Sequence, residues 1–249
     1  MHLVNQKLTT EEQNMNRAER YERRYFFVNT LNKEVEMRIE NVEGILRVEY
    51  PNPVTETIYF THGQKMAYAM PSNQFVRIRR YMGSLSETME FGSESIFFEV
   101  KTNHATGMNC KERISIAGDA ILSVLAKETQ NVSISNILQN ISHLLPLFPT
   151  AATQAERQHW VHKSGIRITL DREIRMFVFP DGSLKGYFVK SLEEGKLEFK
   201  FPKSFQSDSP LVNIIVAVDN NICVQKDQGY LERRIRECFF QSMIKGSMP

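Results

Sequence analysis

Apolar and polar residues alternate with a period of two over most of the chain, and with a period of three to four in a few places. The alternating stretches read as strands: RYERRYFFV from near Arg20, then TETIYFTH, QFVRIRRYMG, ESIFFEVKTNH and CKERISIAG. Four more follow later, QHWVHK, GIRITLDREIRMFV, GYFVK and KLEFKFP, with hairpin signals at Asp181-Gly182 and Glu194-Gly195. Residues 31–46 place Val35, Ile39, Val42 and Ile45 on one face of a helix. From Gly118 to Leu145 the apolar residues (Ile121, Leu122, Leu125, then Ile134, Ile137, Leu138, Ile141, Leu144) recur at three and four. That predicts one broken or two short helices, N-capped at Ser133 or Ser135 and ended by Pro146 and Pro149. The tail from about Ser209, LVNIIVAV and GYLERRIRECFFQSMIK, also reads as helical. No repeat or linker interrupts the chain. The expected organisation is a flexible N-terminus, residues 1–18, and one α+β domain, residues 19–249, dominated by antiparallel strands.

The strands are unusual on their polar side. Glu22 and Arg24 are in phase, as are Arg77, Arg79 and Tyr81, then Glu99 and Lys101, and Lys111 and Arg113. Arg167, Thr169 and Asp171 follow the same rule, and so do Glu198 and Lys200. The opposite faces are strongly apolar, for example Phe98 and Val100, or Leu197, Phe199 and Phe201. On any single strand a charged face is most simply a solvent face. Six strands with such pairs in phase point instead to an antiparallel β-barrel whose lumen is polar, with peripheral helices outside. Arg24, Arg77, Arg79, Lys101, Lys111, Arg113, Arg157, Arg167 and Lys200 are the cations expected to face inward. So many buried cations require partners. Their natural guest is a triphosphate or a longer phosphate chain, and the few carboxylates among them would hold a hard divalent ion.

Composition removes other classes. At 249 residues, with 41% hydrophobic and 24% charged, the chain is long enough for one large core and ordinary in usage, which excludes disorder and fibrous repeats. A formal net charge of +2 identifies no nucleic-acid binder, and no sequence-specific nucleic acid partner is expected. Cys110, Cys223 and Cys238 are widely spaced, and no leading apolar region or long apolar run is present. The expectation is a cytoplasmic protein in a reducing compartment with no membrane span of its own. The H-x-x-H pair His159 and His162 lies on opposite faces of a strand and is not expected to bind metal. In the tail, Leu231, Ile235, Cys238 and Phe239 read as a core stripe with Arg233, Arg234 and Arg236 solvated.

The segments RYERRYFF, ETIYF, VRIRRYMG, FFEVKT, KERISI, ERQHWVHKSGIRITLDREIR and LEFKFP, in that order, resemble the triphosphate tunnel metalloenzymes. Within them the sequence looks like the vacuolar transporter chaperone (VTC) type of polyphosphate polymerase domain. The resemblance covers roughly residues 20–202. It implies a metal-dependent phosphotransferase acting on ATP or another triphosphate, with polyphosphate as product, Mn²⁺ or Mg²⁺ as cofactor and a membrane subunit as a partner. Arg77 and Arg79 match the RxR pair that binds phosphates, and Arg157 and Arg167 match two further phosphate-binding arginines. Lys111, Arg113 and Lys226 complete the expected substrate-binding set, Lys226 as the candidate for a C-terminal lysine of the family. Arg24, Lys101 and Lys200 are the expected catalytic cations. Glu198 matches the metal-holding carboxylate, with Glu22 and Glu99 added as metal ligands. Two departures stand out: Arg24 replaces a first-strand lysine, and Thr61 follows Tyr59-Phe60 where an aspartate is common. A triphosphate hydrolase and a non-catalytic polyphosphate-binding subunit would use nearly the same lining.

Overall fold

The computed structural model describes residues 15–62, 74–90, 95–103, 108–118, 147–179, 185–202, 210–216 and 223–226, with Tyr230, Leu231, Arg233, Arg234 and Glu237 beyond them. The strands are β1 (Met15–Val28), β2 (Ile45–Val48), β3 (Val54–His62), β4 (Gln74–Met82), β5 (Thr88–Met89) and β6 (Ser95–Asn103). They continue as β7 (Met108–Ala117), β8 (Leu147–His162), β9 (Arg167–Val178), β10 (Gly186–Ser191), β11 (Glu194–Phe201) and β12 (Val224–Lys226). Two helices accompany them, α1 (Asn32–Glu40), entered through a 3-10 turn at Asn29–Leu31, and α2 (Pro210–Val216).

All the strand pairings described are antiparallel. The pairings run β8-β3-β4-β6-β7-β1-β11-β9, and β9 pairs in turn with β8 from Ala151↔Val178 to Val161↔Arg167. Eight strands therefore wrap around a common axis. The twelve-stranded sheet as a whole is not one simple closed barrel, because β2, β5, β10 and β12 branch from that circuit. The fold is α+β and strand-rich, as the alternation predicts.

Period two separates the faces. Outward side chains of β1, β8, β9 and β11, among them Phe27, Trp160, Ile168, Leu170, Leu197 and Phe199, pack under Val35 and Ile39 of α1 and Leu211, Val212 and Ile215 of α2. A second apolar layer, including Ile58, Val76, Ile78, Phe98, Ile114 and Phe177, lines the outer face of the opposite wall. Each such side chain removed from water contributes about 1.5–3 kcal/mol. The apolar layers outside the wall thus hold the strands in place, which leaves the inner face free to be polar.

Several local expectations are corrected. The helix expected over residues 31–46 ends at Glu40; a turn reaches Gly44 at φ +82, and Ile45 opens β2 instead of extending the helical face. Pro149 does not stop the chain but lies inside β8 opposite Phe60, where the β3–β8 register shifts and no N–H is needed. Glu194-Gly195 is not the hairpin turn: Gly195 lies within β11 opposite Phe27, whose ring would meet an added Cβ at 2.7 Å. The tail is not wholly helical, because residues 224–226 form β12 against β1. The helices expected between Gly118 and Leu145 and the Asp181-Gly182 turn lie outside the described residues.

Candidate functional site

Inside the circuit lies a polar lumen lined by Glu22, Arg24, Arg77, Arg79, Lys101, Lys111, Arg157, Asp171, Lys196, Glu198 and Lys200, with Thr55, Thr57 and Thr153 between them. It opens into a wider mouth of about 760 Å³, shared by Arg79, Lys111, Arg157 and Lys200 and extended by Tyr50, Tyr81, Arg113, His159, Arg167 and Thr169. The inner lumen itself has a free volume of only about 50 Å³, because its side chains reach one another across it.

Each carboxylate is the hub of a cation cluster. Glu99, wholly buried, accepts from Arg77 Nε at 2.8 Å and Arg113 Nε at 2.6 Å, with Lys111 Nζ at 3.4 Å and Arg79 Nη1 at 4.0 Å. Glu22 Oε2 accepts from Lys101 Nζ at 2.7 Å and Arg24 Nη2 at 3.2 Å. Glu198 accepts from Arg24 Nε at 2.7 Å and pairs with Lys200 Nζ at 2.6 Å. Asp171 takes a two-pronged contact from Arg157, Nε at 2.5 Å and Nη2 at 2.7 Å, and pairs with Lys196 Nζ at 2.5 Å. Such charge-assisted, forked contacts are the strong kind.

The electrostatics follow from crowding. Burial alone would raise the Glu22 carboxyl, but Lys101 and Arg24 outweigh it and hold it below the ordinary range, while Glu198 pushes the other way. Glu198 is likewise held down against its burial by Lys200 and Arg24. Burial, reinforced by Arg24 and Arg77, brings Lys101 down to about 7 against the pull of Glu22. Lys111 also falls to about 7, through burial and the neighbouring arginines Arg113, Arg79 and Arg77, with Glu99 opposing. Burial and the charge of Arg157 lower His159 to about 4, so its ring is neutral at pH 7. Eight lining cations face three lining carboxylates, with buried Glu99 a fourth anion beside them, so with Lys101 and Lys111 protonated the lumen keeps an excess of positive charge. Two hydroxyls in this lining, Thr55 Oγ1 and Thr169 Oγ1, are buried with no hydrogen-bond partner. Unpartnered donors beside surplus cations suit a polar anion.

The sequence-predicted set is largely brought together. Arg24, Arg77, Arg79, Lys101, Lys111, Arg157, Lys200, Glu22 and Glu198 line the lumen, while Arg113 and Arg167 stand at the mouth, Arg167 exposed. Lys226 is opposite Arg24 in the β12–β1 register and lies with its Nζ 5.1 Å from the Tyr230 ring centre, outside the set of residues that line the cavity. His159 meets Tyr50 edge-to-face at 4.6 Å. Sequence reasoning missed Lys196, which shares the parity of Glu198 and Lys200 and is legible from it, and the lumen threonines, which carry no charge signal.

A divalent ion needs oxygen ligands. Among the described residues no group of three or more His, Cys, Asp or Glu could hold one. Glu22 and Glu198, on adjacent strands β1 and β11 and close enough to repel each other, offer two ionised carboxylates on one wall. That donor set fits Mg²⁺ or Mn²⁺, which takes one or two carboxylates and completes its shell with water and substrate phosphates. Glu99 does not join them: its carboxylate is enclosed by four cations.

An antiparallel circuit lined with cations, clothed outside by apolar layers and helices, is the triphosphate tunnel fold. The VTC domain family model matches residues 4–224, and the chain belongs to that family. A comparison with curated proteins finds no match. Among solved structures, the chain is similar to a candidate adenylate cyclase from Bacillus halodurans at 13% identity and TM-score 0.47, covering 76% of this chain and 82% of that one. It is also similar to a candidate adenylyl cyclase from Hippeastrum described as having a dominant triphosphatase activity, at 9% identity and TM-score 0.46, covering 79% and 95%. The PH1819 protein of Pyrococcus horikoshii matches at 15% identity and TM-score 0.37, over 88% and 90%. Among the described residues no helix is long and apolar enough to cross a membrane.

Proposed function

We propose that this protein is a divalent-metal-dependent phosphotransferase that makes polyphosphate from ATP inside the lumen. The observation that carries the reading is the surplus of buried cations around a wall bearing the adjacent carboxylates Glu22 and Glu198. Arg77, Arg79 and Arg157 grip phosphate oxygens, with Arg113 and Arg167 receiving the anion at the mouth. Lys111 adds charge beside Arg79, while Lys226, which is not among the lining residues, is assigned no phosphate contact. Arg24, Lys101 and Lys200 turn from their carboxylates toward the transferring phosphoryl group and stabilise the charge that develops on it. Glu22 and Glu198 would hold Mn²⁺ or Mg²⁺, which supplies neutralisation of the phosphate oxygens when bound. Positioning and electrostatics do the work, and no side chain need act as nucleophile. The terminal phosphate oxygen of the acceptor chain forms the new P–O bond to the γ-phosphorus as its bond to the ADP oxygen breaks. We place the reaction in the reducing cytoplasm, in keeping with the free thiols Cys110 and Cys223, and a membrane subunit as the partner that takes up the product.

Incubation of the purified protein with ATP and Mn²⁺, resolving polyphosphate, ADP and free phosphate, tests this. Chain growth with ADP release supports the polymerase. Free phosphate without chain growth replaces it with a triphosphate hydrolase, and polyphosphate binding without either product replaces it with a binding subunit.

A further inference from the structure

The wall of the lumen made by β3 carries hydroxyls where β1, β4, β6 and β11 carry charges. Thr55 and Thr57 of β3 line the cavity, and Thr153, opposite Thr57 on β8, joins them. β3 stands four strands from β1 in either direction round the eight-strand circuit, so this neutral wall lies across the lumen from the wall of Glu22 and Arg24.

These hydroxyls are not equivalent. Thr57 Oγ1 accepts from Arg79 Nε at 3.3 Å. Thr55 is only 4% exposed, and its buried Oγ1 has no hydrogen-bond partner among the described residues. The sheet explains why. Directly opposed residues of antiparallel strands share a face, and those opposite Thr55 are Tyr81 on β4 and Ala155 on β8. Ala155 offers only a methyl group, and the Tyr81 hydroxyl takes its hydrogen bond from Arg113 Nη2 at 3.4 Å. A hydroxyl buried without a partner destabilises the fold that holds it.

The diagonal neighbours of Thr55 show what kind of ligand would satisfy it. Arg79 on β4 is opposite Thr57, and Arg157 on β8 lies two residues from Ala155. Diagonal partners of this sort stand about 7–8 Å apart, which places Thr55 between the two guanidiniums. Arg79 and Arg157 are close enough to repel each other, and the charges of both reach the Tyr81 hydroxyl. An oxyanion shared by these arginines would have Thr55 as its neutral donor.

We propose that Thr55 is a phosphate-binding residue, its hydroxyl donating to a non-bridging oxygen of the phosphate chain held between Arg79 and Arg157. The inference deepens the reading of the lumen as a phosphate site and rests on it. A hydroxyl here adds direction without charge. A further cation would stand unpaired whenever the lumen is empty, which costs far more than an idle hydroxyl.

Thr55→Val keeps the shape of the side chain and removes the donor, whereas Thr55→Ser keeps the donor. Tripolyphosphate titrations in chelator are set beside urea unfolding of the ligand-free proteins, followed through Trp160. Valine should weaken tripolyphosphate binding roughly 10-fold or more, the scale of a hydrogen bond to a charged group, and leave the urea midpoint unchanged or higher. Serine should bind close to the parent. A valine variant that binds like the parent overturns the assignment, and so does a serine variant as weak as valine. A lower urea midpoint for valine means that the hydroxyl already has a partner in the free protein, and overturns it too. If the parent itself binds no tripolyphosphate, the phosphate reading of the lumen falls first, and the inference with it.

Discussion

Arg24 Nε donates to Glu198 Oε1 at 2.7 Å while its Nη2 reaches Glu22 Oε2 at 3.2 Å, so one guanidinium spans the two carboxylates best suited to a metal. On the proposed reading Glu22 and Glu198 would hold a divalent ion in place of that fork, which would free the Arg24 guanidinium for phosphate. Arg24 stands where the resemblance implies lysine, and its planar fork reaches the two acids through two different nitrogens.

Glu198→Gln keeps the side-chain shape and removes the charge. Metal-dependent turnover of ATP is expected to fall on the order of 100-fold or more, the scale of losing one preorganised electrostatic contact. Polyphosphate affinity in chelator should hold or tighten, because Arg24 and Lys200 lose an internal competitor. Arg79→Ala should weaken both turnover and metal-free binding, the latter by roughly 10-fold or more for a hydrogen bond to a charged group. Product analysis beside a binding titration separates the two patterns. Full metal-dependent activity in Glu198→Gln would remove it from the metal site.

Lys101 and Lys111, lowered to about 7 chiefly by burial, give the lumen a pH dependence. The unfolded chain keeps these amines protonated up to about 10.4. Between pH 7 and 10 the unfolded state therefore binds more protons than the folded one, and these two groups make stability rise with pH across that window. Ligand binding should run the opposite way. A polyanion raises both amines, so binding tripolyphosphate at pH 8 takes up protons, and affinity falls as pH rises from 6 to 9. Calorimetry in two buffers of different ionisation heat measures the uptake; none at pH 8 means that both amines are already charged.

Much of this was legible because charges recur with the sheet period. Arg77 with Arg79, Glu99 with Lys101, Lys111 with Arg113 and Glu198 with Lys200 each occupy the inner face their parity implies. What stayed hidden has physical reasons. Thr55 carries no charge, so nothing in the pattern marks it as a lumen donor. The bulge at Glu173, where the β8–β9 register shifts, places a residue with no preference for positive φ in the left-handed region, and every parity beyond it inverts. Register is equally silent: no spacing reveals that Arg157 meets Asp171, or that a three-residue strand returns to place Lys226 opposite Arg24.

The Arg157–Asp171–Lys196 cluster should be the most sensitive part of the lumen to a neutralising change. Asp171 is 2% exposed, and Asp171→Asn leaves two cations facing each other without their anion. Breaking a buried pair in this way costs about 3–5 kcal/mol. In the native protein Arg157 and Lys196 hold the Asp171 carboxyl below its ordinary range against the effect of burial. Its contribution is therefore complete above about pH 4, the unfolded value, and is lost as pH falls below that. Urea unfolding followed through Trp160, the single tryptophan and 1% exposed, reads both effects. Tripolyphosphate should stabilise Asp171→Asn more than the parent, because phosphate oxygens replace the missing carboxylate.

The Glu173 bulge can be tested by backbone preference alone. At φ 50 a non-glycine residue stores about 1–3 kcal/mol of strain. Glu173→Gly removes the clash, and Glu173→Asn suits the left-handed region better than glutamate, so each should leave stability unchanged or raise it by up to about 1 kcal/mol. Glu173→Val, branched at Cβ and poorly suited to positive φ, should lower it by about 1–2 kcal/mol. The ordering reverses if the strand is regular at this point, since in an ordinary extended strand valine is favoured and glycine disfavoured. Denaturant midpoints for the three variants, again read through Trp160, decide between the two. Valine above glycine would mean that Ile174 comes to line the lumen by some route other than a change of parity at Glu173.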